Sequence, residues 1–493
     1  MQDTFIKHFR AERWLSIFIL VHLIAWTFVP AFVRYNLPMD SIEGAMWGHQ
    51  LEWGYDKNPF LNGWLSALAV YFSPQSGWVM YLFSQLSVAA CFWAVFRLAN
   101  QMLSPVYALI SVMLLEGMQY YNFHAIDFND NTLELSLWAL TIYFFYQALR
   151  TTTRWPWVLT GLFAGLGVMA KYYTFALLAA MFLFLVCYPA NRKMLRTLPP
   201  YLGLMVFLVI ILPHTIWLFF HDFVTVRYMM QRTASEPTWL NHVFFPFQFS
   251  LEQLQVLLPM LALAGVLLIG KRDKASVPTL APFDQAFLFY VGLGPFLLTL
   301  LLSFLSGIKL RAGWGMPLLS LWGMILLTYL RPHITAAKLY RFIATVFVLM
   351  GALLAGYSYS LIDSSDPSSA NFPGREIAKA VTQTWHDTYH TPLAYVAGPR
   401  WVGGNIEFYS ADHPAVFSEW NLTKAPWINI KEMEEKGAVF VWNISNNETL
   451  PEEIKNKFQG LTAPTIVKFA WHRDSGHLPP IQIGVAFLPP SST

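Results

Sequence analysis

Up to about residue 361 the chain is a series of long apolar runs broken by short polar windows; beyond it the runs become short and alternating. Runs near 20 residues match the length a helix needs to cross the hydrocarbon core of a bilayer. They predict eleven spans, at roughly 14–34, 77–99, 104–120, 132–149, 156–171, 173–189, 199–220, 251–269, 284–305, 313–330 and 341–361. The window at 35–76 reads as a long loop with helices of its own. Ile42, Ala45, Met46, His49 and Trp53 form one stripe, suited to a helix lying flat in the membrane interface, and Leu61, Trp64, Leu65, Leu68 and Tyr71 form another. Residues 362–373 are rich in Ser, Pro and Asp and read as a linker. Residues 374–493 read as a soluble α/β domain. It has a helix over Arg375 to Thr388, strands over Leu393 to Ala397, Ala438 to Trp442 and Thr465 to Ala470, and a frayed end over Leu488 to Thr493.

Composition agrees with this pattern. Of 493 residues, 55% are hydrophobic and 12% charged, about half the charged share of a soluble domain. Cys91 and Cys187 both lie in apolar runs, which excludes a disulfide framework and zinc-finger spacing. The first run is too long for the apolar part of a signal peptide and lacks a small-residue cleavage site. Asn421, Asn443 and Asn447 begin formal glycosylation sequons, a pattern that recurs by chance.

The net charge of +3 says little, but its distribution says more. One set of span ends holds fifteen cations: Lys7, Arg10, Arg13, Arg97, Arg150, Arg154, Arg192, Lys193, Arg196, Lys271, Arg272, Lys274, Arg331, Lys338 and Arg341. The other holds seven: Arg34, Lys57, Lys171, Arg227, Arg232, Lys309 and Arg311. This bias puts the N-terminus in the cytoplasm, and an odd number of spans puts the C-terminal domain outside. The predicted fold class is an α-helical polytopic membrane protein with a C-terminal extracytoplasmic α/β domain.

The seven minority cations share their side with the polar windows that carry carboxylates. Asp40-Ser-Ile-Glu43 opens the 35–76 loop and reads both as a capping box and as a carboxylate pair placed for acid–base work at the interface. Tyr55-Asp56-Lys57-Asn58-Pro59 puts a lysine just ahead of a helix N-terminus, with Asn58 as its cap and Pro59 as its first residue. Helix dipole and ammonium together make a phosphate site, unless Lys57 is merely paired with Asp56. Asn122 to Asn131 offers His124, Asp127 and Asp130. The aspartates read as caps of the following span or as functional acids; a lone His beside them is a weak metal signal. Lys171 before Tyr172 and Tyr173, Arg311 before Trp314, and Arg227 with Tyr228 and Arg232 read as anion contacts or as interfacial anchors.

These residues resemble the GT-C glycosyltransferases, and within them the aminoarabinose-transferase and protein O-mannosyltransferase group. The resemblance rests on the acidic pair after the first span, the G-Y-x-K-x-P turn, the acidic turn before the fourth span, a lysine opening the sixth, and an arginine before a late span. It implies eleven to thirteen transmembrane helices and transfer of a sugar from an undecaprenyl-phosphate donor. It also implies an acceptor at the periplasmic face of a bacterial inner membrane, most simply lipid A, with another glycan or a protein as alternatives. By motif position, Asp40, Asp130 and Glu43 are the catalytic acids, with Asp127 a lesser match to the second acidic position. Lys57, Lys171 and Arg311 meet the donor phosphate; Tyr55, Asp127, Tyr172 and Arg227 touch substrate. The resemblance fixes no cofactor and leaves a divalent metal open, and no nucleic-acid partner is expected. Two departures stand out: the second acid is displaced to Glu43, and the lysine is followed by Asn58-Pro59-Phe60 where the family has a double proline. The rival class is a lipid transporter, which the nearly charge-free spans disfavour.

Overall fold

The computed structural model describes residues 9–234, 238–269, 280–362, 366–444, 449–473 and 478–491. Lys7, Lys271, Arg272 and Lys274 of the charge count, part of the linker, Asn447 and the last two residues lie outside these.

All eleven apolar runs are helical. Among the described residues, six helices are long and apolar enough to cross a membrane: Ala11–Val33, Trp78–Met102, Pro199–Phe220, Asn241–Leu268, Pro282–Ser306 and Ala336–Ile362. The run at 313–330 is instead a pair, Ala312–Leu319 and Trp322–Leu330, bent by 63°. Pro105–Gly117, Trp155–Ala170 and Thr174–Cys187 are apolar but shorter; at 1.5 Å per residue they reach roughly 20–25 Å, less than a bilayer core. Asp130–Arg150 is long enough but is buried along most of its length, so it faces other helices and needs no continuous apolar surface. The sequence therefore locates each helix, and on length and composition by themselves six of the described helices reach across a bilayer, or seven with the bent pair taken as one.

The spans are not wholly free of charge: Glu116 and Glu134 are fully buried within them. His22 Nδ1 meets Glu116 Oε2 at 2.7 Å and His22 Nε2 meets Gln85 Oε1 at 3.2 Å, all fully buried. Gln85 Nε2 and Ser84 Oγ donate to the Ala125 carbonyl at 2.7 and 2.6 Å. This buried polar chain ties the 122–131 turn to the first two long helices.

Beyond the membrane bundle, five strands form one sheet: β1 Tyr395–Gly398, β2 Ala415–Ser418, β3 Ala438–Asn443, β4 Thr465–Phe469 and β5 Ile481–Leu488, in the order β2-β1-β3-β5-β4. β1 pairs parallel with β2 and β3, whereas β5 pairs antiparallel with β3 and β4. The helix Gly374–Tyr389 matches the expected one, and β5 takes in Leu488, the start of the stretch expected to fray. β2 and β5 and the helices Arg400–Tyr409 and Ile430–Lys436 were not expected; β2 has four residues and Ile430–Lys436 seven, too few to show a period.

The sheet-bearing part is stitched to the membrane part near the end of the first span. Tyr35 N and Asn36 N donate to Ala370 O at 3.0 and 3.2 Å, and Leu37 N donates to Tyr409 Oη at 3.1 Å.

Candidate active site

The loop helix Met39–Gly48 carries Asp40 in its first turn. It does not lie flat in an interface with one covered stripe: Ser41 to Gly48 are all buried. On one side it packs against the helix Leu61–Phe72 so closely that a Cβ on Gly48 would come within 2.5 Å of the Gly63 carbonyl. On the other, Ile42 meets Gly404 of the helix Arg400–Tyr409.

The capping box read from Asp40 and Glu43 does not form: the helix begins at Met39 with Pro38 at its cap position, which puts Asp40 inside the first turn. Asp127 caps this helix across 87 residues of chain instead. Its Oδ2 accepts from Asp40 N at 3.1 Å, and its Oδ1 accepts from Ser41 N at 2.9 Å and Ser41 Oγ at 2.8 Å. Neither Asp127 nor Asp130 caps the next helix. Asn129 does, accepting from Asn131 N and Thr132 N while its own N–H donates to Thr132 Oγ1. The Asn129 amide also donates to Asp40 Oδ2 at 2.9 Å. Two neighbouring polar residues thus place Asp40 from opposite ends: one holds its backbone, the other its carboxylate.

Lys57 sits in a tight turn in which Tyr55 N donates to Asn58 O at 2.9 Å and Gly54 pairs with Pro59. The helix that follows starts at Leu61 with Phe60 at its cap position, so Asn58 and Pro59 belong to the turn and do not open the helix. Thr225 Oγ1 donates to Tyr55 O at 2.7 Å and fixes the turn from the side. Lys57 Nζ bonds Glu43 Oε1 at 2.7 Å. Asp56, the alternative partner of Lys57, is taken by Arg400, whose Nη2 lies 2.6 Å from Asp56 Oδ2 while its Nη1 bonds Glu43 Oε1. Lys171 Nζ pairs with Asp130 Oδ2 at 2.7 Å and with Asn131 Oδ1.

Asp40, Glu43, Lys57, Asp130, Lys171, Tyr172 and Arg311 converge on one cavity of about 980 Å³. Its polar lining also includes Asn62, Asn131, His214, Tyr228 and Arg232, and its apolar lining includes Val168, Phe175, Ile211, Leu218 and Leu302. Tyr172 Oη bonds His214 Nε2 at 2.5 Å. Arg311, one of the lining residues, has its Nε buried without a hydrogen-bond partner among the described residues. Burial, then the charges of Asp127, Glu43 and Asp130, push the Asp40 carboxyl well above the usual carboxylate range. Burial also raises Asp127, to about 6, against its hydrogen bonds from Ser41 and Asp40.

Three of the residues singled out in the sequence lie elsewhere. Tyr55 is fully buried and stacks on Trp47 at 5.1 Å. Asp127 is spent on the helix cap. Arg227 is exposed and pairs with Asp222 at 3.9 Å. His124, Asp127 and Asp130 do not assemble: among the described residues no group of three His, Cys, Asp or Glu side chains is arranged to hold a metal ion. Arg400 was missed. It follows Gly398-Pro399 at the end of β1, past the membrane part, and a single arginine at a strand-to-helix turn carries no signal of its partners.

Comparison with known proteins bears on the fold. Residues 57–217 match the family described as dolichyl-phosphate-mannose-protein mannosyltransferase, a stretch that includes Lys57, Asp130 and Lys171. No curated protein matches the sequence. Among solved structures, ArnT from Cupriavidus metallidurans bound to undecaprenyl phosphate superposes with a TM-score of 0.61 at 15% identity, covering 96% of this chain and 98% of that one. The same protein in the apo state gives 0.53 at 14% identity, covering 97% and 98%. The resemblance carried by the motifs thus extends to the whole architecture: the chain shares the overall fold of that ArnT structure, and its segment 57–217 matches the dolichyl-phosphate-mannose-protein mannosyltransferase family.

Proposed function

We propose that this chain transfers a sugar from a polyprenyl-phosphate donor to an acceptor at the periplasmic face of a bacterial inner membrane, with inversion at the anomeric carbon. Lipid A, through a phosphate or a hydroxyl, is the acceptor we favour. The carrying observation is the mixed lining of the cavity, which holds cations and carboxylates together with many apolar side chains. That lining suits a ligand with a charged head and a prenyl tail. The bound undecaprenyl phosphate of the similar ArnT structure supports the same donor class. The cation count at the span ends supports the orientation, with the N-terminus cytoplasmic and the sheet-bearing domain periplasmic.

In this reading the bond between the anomeric carbon and the phosphate oxygen breaks, and its electron pair leaves with the phosphate. Lys57 and Arg311 neutralise the charge that develops there; Lys171, already paired with Asp130, adds to the field. The acceptor oxygen attacks from the opposite face. Asp40, with a raised affinity for protons and no cation on its carboxylate, takes the proton of an acceptor hydroxyl. A phosphate acceptor is already largely ionised near neutral pH, and Asp40 then orients it and stabilises the cationic sugar carbon.

The test is the purified chain in lipid nanodiscs with a polyprenyl-phosphate sugar and lipid A. The expected result is release of polyprenyl phosphate and a matching mass gain on lipid A. Transfer only to a peptide or another glycan would move the acceptor and keep the reaction. Donor binding with no transfer to any acceptor would overturn the enzyme reading in favour of a carrier.

A further inference from the structure

Lys57 reaches the cavity as one member of a four-residue charge cluster. Two carboxylates, Glu43 and Asp56, face two cations, Lys57 and Arg400. Their burial is unequal. The side chain of Lys57 is 28% exposed, against 13% for Arg400, 9% for Glu43 and 5% for Asp56. The buried three form a closed unit, since one guanidinium fork spans both carboxylates, an arrangement a planar five-donor group suits and an ammonium does not. The Arg400 backbone N–H donates to Glu419 Oε1 at 3.1 Å and Nε donates to Ser418 Oγ at 3.3 Å, so the fork is fixed at its base by β2 and the turn after it. Lys57 bonds the same Glu43 oxygen from the cavity side and faces the Tyr228 ring at 5.9 Å.

This arrangement answers a problem the donor poses. To meet a phosphate, Lys57 must leave Glu43. A buried carboxylate stripped of its cation is strongly unfavourable, so Lys57 would stay where it is unless Glu43 kept another partner. Arg400 is that partner.

We propose that Arg400 is a positioning residue of the donor site: from the sheet-bearing domain it holds Glu43 and Asp56, and so frees the Lys57 ammonium to turn to the donor phosphate. The proposal rests on the functional reading above, and it makes the sheet-bearing domain part of the donor site although Arg400 does not line the cavity. It also gives Glu43 a role as a switchable tether for Lys57, distinct from acid–base work.

The experiment measures undecaprenyl phosphate binding to the purified full-length protein, together with kcat and KM for the donor sugar. Arg400→Gln is expected to weaken undecaprenyl phosphate binding by about tenfold and to raise the donor KM in step, because Glu43 then sequesters Lys57. Adding Glu43→Gln to Arg400→Gln removes the sequestering charge and is expected to restore the dissociation constant to within about threefold of wild type. A purely structural role for Arg400 predicts the reverse, with the second substitution adding damage. Arg400→Lys keeps one cation without the fork and is expected to fall between wild type and Arg400→Gln; with the double variant it carries the test if Arg400→Gln does not fold. Wild-type affinity in Arg400→Gln, or a double variant no better than the single, overturns the inference while wild-type turnover leaves the functional reading standing. Wild-type protein that neither binds undecaprenyl phosphate nor transfers sugar overturns both.

Discussion

The two polar stretches that border the cavity use their carboxylates in opposite ways. In the 35–76 loop, Glu43 and Asp56 are neutralised by Lys57 and Arg400, and Asp40 is left with an amide alone. In the 122–131 turn, Asp130 is neutralised by Lys171, and Asp127 spends both oxygens on the backbone and hydroxyl of the other stretch. Of these five acids, Asp40 is the one without a cation or a backbone N–H on its carboxylate. Residue type is the same throughout; the partner decides whether an acid is a tether, a cap or a candidate base. A carboxylate kept free of cations while others crowd it is the arrangement that raises proton affinity toward the working pH of a general base.

Asp40→Asn is the strongest way to break this contrast. Turnover should fall by about 10²–10⁴-fold, the usual share of a positioned acid–base group. The same substitution should raise the thermal midpoint near neutral pH. The folded Asp40 carboxyl titrates above its unfolded value, so its ionised form destabilises the fold and stability drops as pH rises through that range. The wild-type rate should correspondingly fall on acidification with a midpoint above the ordinary carboxylate value of about 3.9. A rate profile flat to that point would remove Asp40 from the base role.

Lys57→Ala should come next, at roughly 10²-fold in kcat/KM with donor, since it removes one preorganised charge from the leaving phosphate. Asp127→Ala tests the cap. Losing it should lower stability by about 1 kcal/mol in denaturant unfolding and slow turnover by about tenfold through misplacement of Asp40, with donor affinity little changed. Equal rates in Asp127→Ala and wild type would show that Asn129 alone places Asp40. Arg227→Ala should have the smallest effect, within about twofold in rate, because its ion pair is exposed and off the cavity; a large loss would bring the Val224–Thr233 helix into the substrate path.

What could be read from the sequence was whatever repeats or sits close along the chain. Eleven apolar runs gave eleven helical segments, because helical hydrogen bonds close within four residues and a bilayer sets the run length. The helix Gly374–Tyr389 and strands β1, β3 and β4 were legible from periodicity alone. Asp40, Lys57, Asp130, Lys171 and Arg311 were legible because a polar residue at a span end needs a reason to be there. Tertiary structure alone decided the pairings. That Asp127 caps a helix 87 residues away, that Arg400 reaches Glu43 across 357 residues, and that Asp56 pairs with Arg400 and not with its neighbour Lys57 are all choices among equally charged alternatives. Local sequence cannot rank them, because the energy of a buried ion pair depends on which groups the fold removes from water together.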